Sequence, residues 1–214
     1  MIDIPQHLTQ CAPLVSPVLM HALVRTESSW NPLAIGPDDG QPAIAQPGTL
    51  DEAVRTVKQL QASGAKFSLG LAQIHVSNVT RRGMTLEQAF DPCSNLKMGQ
   101  TILFENYNQA IKEGYTGVDA VWAALRGYNS GGVNKTVSDK YANKIFTYMQ
   151  RVADTGQASK TTPASTDPRF SQFTQSLEAN ARGAHAPLAV PNPGAMREGE
   201  SPDIFQSQEA KQGF

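Results

Sequence analysis

The chain has 214 residues, 18 basic against 19 acidic side chains, and 40% hydrophobic residues. This near-neutral balance leaves no electrostatic footprint for nucleic acid, and no apolar run reaches the roughly 18 residues that a membrane-spanning helix needs. Two cysteines are too few for a disulfide scaffold, their spacing is no metal motif, and the length points to one domain with room for a tail.

The N-terminus, Met1-Ile-Asp-Ile-Pro-Gln-His7, lacks the basic and apolar regions of a signal peptide. Export is therefore expected by another route, after trimming of a signal, or not at all. Cys11 and Cys93 each precede or open an expected helix. In an oxidising compartment they could pair and close a long loop, worth about 4–5 kcal/mol on chain-entropy grounds. Otherwise they are two small buried thiols, and spacing does not choose between the two.

Ser16-Pro17 reads as a helix start, with serine as N-cap and proline at the first helical position. Val18, Leu19, Ala22, Leu23 and Thr26 then share one face. This helix delivers one carboxylate, Glu27, to its own end, and Ser28, Trp30, Asn31 and the helix-breaking Pro32 follow. A carboxylate beside unpaired helix carbonyls is disfavoured as an anion. An apolar wall from Trp30 would push its pKa the same way, upward. A protonated acid near neutral pH is what glycosidic bond cleavage requires; a lone glutamate at a helix end would otherwise be an ordinary solvated charge.

Residues 34–48 carry Gly36, Pro37, Gly40, Pro42, Pro47 and Gly48 and read as an irregular loop. Thr49 and Glu52 form a capping box for a helix reaching about Ser63, with Gly64 as its stop. Lys66 to His75 is short, apolar and broken by Gly70, and is read as irregular. Thr85 and Gln88 form a second capping box, and Asp91-Pro92 opens a long helix that Gly114 ends. Val118–Leu125 reads as a short buried helix, Arg126–Gly132 as a glycine-rich loop, and Ser138 as the cap of a last helix with Tyr141, Ile145, Tyr148, Met149 and Val152 in its stripe.

From about Thr155 the composition turns to Pro, Gly, Ser, Thr and Gln without Trp or Tyr. Such a segment buries too little surface to offset ordering entropy. The organisation expected is a mainly α domain over residues 1–154 and a disordered or linker-like tail over 155–214, where Phe170, Phe173 and Leu177 could dock on a partner.

Four motifs in order then carry a resemblance. Glu27-Ser28, Gly70-Leu-Ala-Gln73, Asp91-Pro92 with Asn95 and Gly99, and Tyr128-Asn129 resemble the soluble lytic transglycosylase family over about Pro13 to Val152, and Tyr141 with Lys144 fits the same pattern. Ala34-Ile-Gly36, the helix over Asp51–Ser63, Phe67–Ile74 and Phe90–Leu96 resemble its type IV secretion and conjugation branch.

The resemblance implies a lysozyme-like helical domain with a substrate groove. It also implies non-hydrolytic cleavage of the β-1,4 bond between N-acetylmuramic acid and N-acetylglucosamine in peptidoglycan. One glutamate, Glu27, would be general acid and then base, with no second carboxylate, no cofactor and no metal. Asp38, Asp39 and Asp91 are the nearest other acids, and Asp91 is better explained as a helix cap.

Ser28, Gly70, Gln73, Tyr128 and Asn129 would bind substrate. Three of them also have a plainer explanation: Gly70 as a turn residue, Tyr128 as core, and Ser28 as a local backbone bonder. Ala72 stands where many relatives have Met and Gly127 where many have Ala, changes that would widen the groove. His75 is expected to be exposed or hydrogen-bonded rather than a metal ligand, since no second ligand lies at helical spacing.

The expected partners are glycan strands and, through the tail, type IV secretion components, and the substrate implies a periplasmic site of action. Two other readings stand beside this one: a hydrolytic muramidase, and a peptidoglycan-binding assembly factor whose tail recruits secretion components.

Overall fold

A computed structural model describes residues 4–154, without the side chains of 4–7 and 152–154. The tail expected from residue 155 lies outside the described residues, as does the side chain of Val152. The described chain is mainly α: α1 (Ile4–Cys11), α2 (Pro17–Ser28), α3 (Leu50–Ala62), α4 (Val76–Arg81), α5 (Leu86–Phe90), α6 (Pro92–Lys112), α7 (Gly117–Ser130) and α8 (Asp139–Asp154). It also has three short strands, β1 (Ile35–Pro37), β2 (Phe67–Leu69) and β3 (Ile74–His75), and a 3-10 turn over Thr136–Ser138. None of the described helices is long and apolar enough to cross a membrane.

The residues fall into two compact units, one from 4–12 and 23–101, the other from 13–22 and 102–154. In the first unit, β1, β2 and β3 form an antiparallel sheet in sequence order, with Ile35 opposite Leu69 and Leu69 opposite Ile74. Phe67, Leu69 and Ile74 are fully or almost fully buried, each contributing about 1.5–3 kcal/mol by burial. The sheet corrects the irregular reading at residues 35–37, 67–69 and 74–75, while residues 38–48 form the expected loop. On the outer side of β1 the Gln46 carboxamide stands in for a fourth strand. Its Oε1 accepts from the Ile35 N–H at 3.0 Å, and its Nε2 donates to the Ile35 carbonyl at 2.9 Å.

The capping boxes form as their spacing requires. Thr49 and Glu52 start α3, and Thr85 and Gln88 start α5, each side chain taking the other residue's backbone N–H. Asp91 caps α6 by accepting from the Ser94 N–H at 2.8 Å. Ser16 departs from expectation. It stands just before α2, but its hydroxyl is buried and has no hydrogen-bond partner, so it supplies no side-chain cap.

Cys11 and Cys93 are joined in a disulfide that ties α1 to the first turn of α6. The open alternative is thereby decided in favour of the bridge.

In the second unit α7 is longer than expected. It continues through Arg126-Gly-Tyr-Asn-Ser130 and stops only where Gly131 takes a left-handed φ of 73°. Trp122, fully buried Leu125 and Arg126 lie on this helix. The Trp122 indole donates to an Asp139 carboxylate oxygen at 2.8 Å, and Arg126 pairs with the same oxygen. Trp122 also packs on Phe146, with ring centroids 5.2 Å apart. In α8 the buried face is Ala142, Ile145, Phe146 and Met149, with Tyr141 and Tyr148 half-buried at its margins. Ser138 closes the 3-10 turn, is buried, and stands immediately before Asp139, the first residue of α8, where the cap was expected.

Candidate active site

Glu27 is the penultimate residue of α2 and is half-buried. The helix ends at Ser28, earlier than Pro32 requires, because Ser29 and Trp30 both adopt left-handed backbone, with φ of 50° and 71°. Consecutive non-glycine residues in this region are costly and persist only where the surroundings impose them, a condition that concentrates at functional sites. The chain therefore turns abruptly one residue beyond Glu27, leaving its carboxylate at the carbonyl end of the helix. Ser28 spends its hydroxyl on the Val24 carbonyl at 3.2 Å, the local backbone bond that serine often makes in a helix.

Gly70, Leu71, Ala72 and Gln73 form the turn between β2 and β3. Gly70 is buried with φ 75°, and an added Cβ would lie 2.6 Å from the Ala89 carbonyl oxygen and against the Asn95 side chain. Glycine is required there by backbone and neighbours alike. Gln73 is left-handed too, with φ 46°. Its Nε2 donates to the Gly70 carbonyl at 2.9 Å and to the Ala34 carbonyl at 3.2 Å. Its Oε1 lies over Gly36, where a Cβ would collide with it.

Glu27-Ser28 and the 70–73 turn share one hydrogen-bonded frame. The Asn31 N–H donates to the Ser28 carbonyl at 3.1 Å, and the Ala34 N–H to the Asn31 carbonyl at 3.3 Å. The Ala34 carbonyl in turn accepts from Gly70 N–H at 2.9 Å and from the Gln73 carboxamide. Two sequence motifs some forty positions apart thus become parts of one backbone network.

Tyr128 and Asn129 belong to the second unit and sit on the last turn of α7, not on a loop. Tyr128 is half-buried. Asn129 donates from Nδ2 to the Ser138 hydroxyl at 3.0 Å, fastening the end of α7 to the 3-10 turn. Gly127, buried, has the Asn106 side chain where a Cβ would stand, and the Ala72 side chain is fully buried. These two departures from the family pattern do not widen a groove: one position is filled by Asn106 and the other is enclosed.

His75 caps α4. Its Nδ1 accepts from the Ser77 N–H at 3.2 Å and lies 2.7 Å from the Ser77 hydroxyl, while Nε2 faces Asp38 at 3.3 Å. Accepting at Nδ1 puts the ring proton on Nε2, toward the carboxylate. Among the described residues no group of three or more His, Cys, Asp or Glu could hold a metal ion. The sequence pattern included Asn95 without giving it a task. The structure makes it the hub of the 70–73 turn, bonded to Leu69, Ala72 and Ala89. Its own sequence neighbourhood gives no sign of this, since the Leu69 and Ala72 partners lie 26 and 23 positions away.

Residues 8–149 match the family described as "Transglycosylase SLT domain". The chain is 51% identical over 102 residues to the "Type IV secretion system protein virB1" of Brucella abortus (strain 2308), an alignment covering 48% of this chain and 42% of that protein. The protein of the same name from Brucella suis biovar 1 matches to the same extent. "Protein virB1" of Agrobacterium fabrum is 25% identical over 146 residues, which cover 67% of this chain and 58% of that protein. The chain thus spans about half the length of the curated relatives it matches. No solved structure matches it significantly. With the family match covering well over half of its length, from Leu8 within α1 to Met149, the chain belongs to the transglycosylase SLT domain family.

Proposed function

We propose that this protein is a peptidoglycan lytic transglycosylase. On this reading it cleaves the β-1,4 bond between N-acetylmuramic acid and N-acetylglucosamine and opens the wall locally for a type IV secretion or conjugation machine. The observation that carries the proposal is Glu27 at the carbonyl end of α2, two residues before the left-handed pair Ser29 and Trp30, in a chain of this family. The helix-end field favours the protonated form of a carboxyl held there. Glu27 gives that proton to the bridging oxygen as the C1–O4 bond breaks. The same carboxylate then takes the proton from the muramic C6 hydroxyl while O6 bonds to C1. No water is consumed, and the product is an anhydro-muramic end.

On this reading Gln73 and Tyr128 are substrate-binding residues, while Gly70 serves the turn that carries Gln73, and Ser28 and Asn129 hold the ends of α2 and α7. The Cys11–Cys93 bridge supports a periplasmic site of action, because structural disulfides persist in oxidising compartments. The similarity to proteins named for type IV secretion supports the assignment to such a machine.

The test is mass spectrometry of purified peptidoglycan digested by the wild type and by Glu27→Gln. Fragments one water lighter than hydrolytic products are expected from the wild type, with turnover falling roughly 10²–10⁴-fold in the variant. Hydrated reducing ends would replace the transglycosylase with a muramidase. Binding without fragments from either protein would favour an assembly factor.

A further inference from the structure

Asn95 is 1% exposed, and a polar side chain that deeply buried must spend its hydrogen-bonding groups inside the protein. Its two Nδ2 hydrogens go to the Leu69 carbonyl at 2.9 Å and the Ala89 carbonyl at 2.7 Å. Its Oδ1 accepts from the Ala72 N–H at 2.7 Å. This pattern of two donors and one acceptor at a short reach selects asparagine. Aspartate lacks the donors, serine has one, and glutamine is a methylene too long. Gly70 completes the fit, because a Cβ there would fall on the Asn95 amide nitrogen.

Two of the three groups that Asn95 grips bracket the turn, the Leu69 carbonyl just before Gly70 and the Ala72 N–H just before Gln73. Between and beyond them stand the two left-handed residues, Gly70 at 75° and Gln73 at 46°. The Gln73 carboxamide rests on the Gly70 and Ala34 carbonyls, and the Ala34 carbonyl also holds the Gly70 N–H. A non-glycine residue leaves left-handed backbone when its surroundings stop imposing it. Release of the Ala72 N–H and the Leu69 carbonyl therefore frees Gln73 to relax, and its carboxamide leaves the frame that continues through Ala34 and Asn31 to the end of α2.

We propose that Asn95 is a positioning residue of the active site: from α6 it imposes the backbone of the 70–73 turn and thereby fixes the Gln73 carboxamide relative to the helix end that carries Glu27. The activity side of this proposal rests on the transglycosylase reading above; the conformational side does not.

The experiment uses the full chain with Asn95→Ala and Asn95→Ser, assayed well below the melting temperature of each variant. Steady-state turnover of peptidoglycan is measured together with the NMR resonances of the Gln73 backbone and side-chain amide. A folded Asn95→Ala should lose kcat by about tenfold to a hundredfold, the cost of misplacing a group by about 1 Å. KM should change less than about threefold, the Gln73 resonances should move, and Asn95→Ser should recover part of both effects.

Unmoved Gln73 resonances, or kcat within twofold of wild type in a folded Asn95→Ala, would overturn the proposal. So would a loss of activity that tracks only the unfolded fraction, or failure of both variants to fold, since either would make Asn95 purely structural. Full activity in Glu27→Gln would instead remove the transglycosylase reading and leave the Gln73 resonances to decide this one.

Discussion

Removal of the Cys11–Cys93 bridge, as Cys11→Ala with Cys93→Ser, should destabilise the protein heavily. Cys11 is buried and Cys93 exposed, so alanine and serine suit the two sites and leave no free thiol. The bridge spans a sequence separation of 82 residues. On the chain-entropy expression such a loop lowers the unfolded entropy by about 15 cal/mol/K, or about 4.5 kcal/mol at 25 °C. Against a typical total of about 5–15 kcal/mol this is a large share. It corresponds to a fall of about 9–18 °C in melting temperature for a domain of this size. Thermal melts of the wild type and the double variant, with and without reductant, measure it. Reductant should lower the wild type to the variant and leave the variant unchanged. A difference below about 3 °C would refute the reasoning, because the cross-link would then constrain nothing that the unfolded chain explores.

Two further outcomes concern the second unit. Partial burial pushes the Asp139 carboxyl up, but the hydrogen bonds from Arg126 and Trp122 and the guanidinium charge outweigh it, and the net pKa lies below the ordinary aspartate value. The stabilisation is fully present above about pH 3.9, the unfolded aspartate value, and is lost as pH falls through the lower folded value. Asp139→Ala takes the carboxylate from a buried Arg126 and should cost about 3–5 kcal/mol in urea unfolding at neutral pH. That gap should narrow in acid, and a gap independent of pH would count against the ion pair. Gly127→Ala drives a methyl into Asn106 and should cost about 1–3 kcal/mol. Adding Asn106→Ala should return most of it, whereas strictly additive losses in the double-mutant cycle would show that the two do not share space.

The helix starts governed by neighbouring residues were legible in the sequence. Thr49 with Glu52, Thr85 with Gln88, and Asp91 with Ser94 all act within one helical turn, so their spacing alone specifies them. The sheet was not legible, because strands of two or three residues have no readable period and their pairing joins residues 35–37 to 67–69. The end of α7 is hidden from the sequence for a related reason. Gly127 looks like a helix breaker in one dimension, yet it is a site of close approach for Asn106, and the helix stops at Gly131 instead.

Glu27 was visible at a helix end. The strained pair behind it and the Asn95 bracket depend on tertiary contacts, and the chain order of Glu27, Gln73 and Tyr128 says nothing about backbone conformation at any of them.

The Gln46 carboxamide on β1 has a consequence for how these molecules behave toward each other. An exposed strand edge invites a strand from a neighbouring molecule. Here the outward N–H and carbonyl of Ile35 are already taken by a side chain, and Pro37, the next outward position, has no N–H to offer. The edge is finished from within the chain. At high local concentration this edge of the sheet gives a neighbouring chain no free main-chain ladder at Ile35 along which to grow.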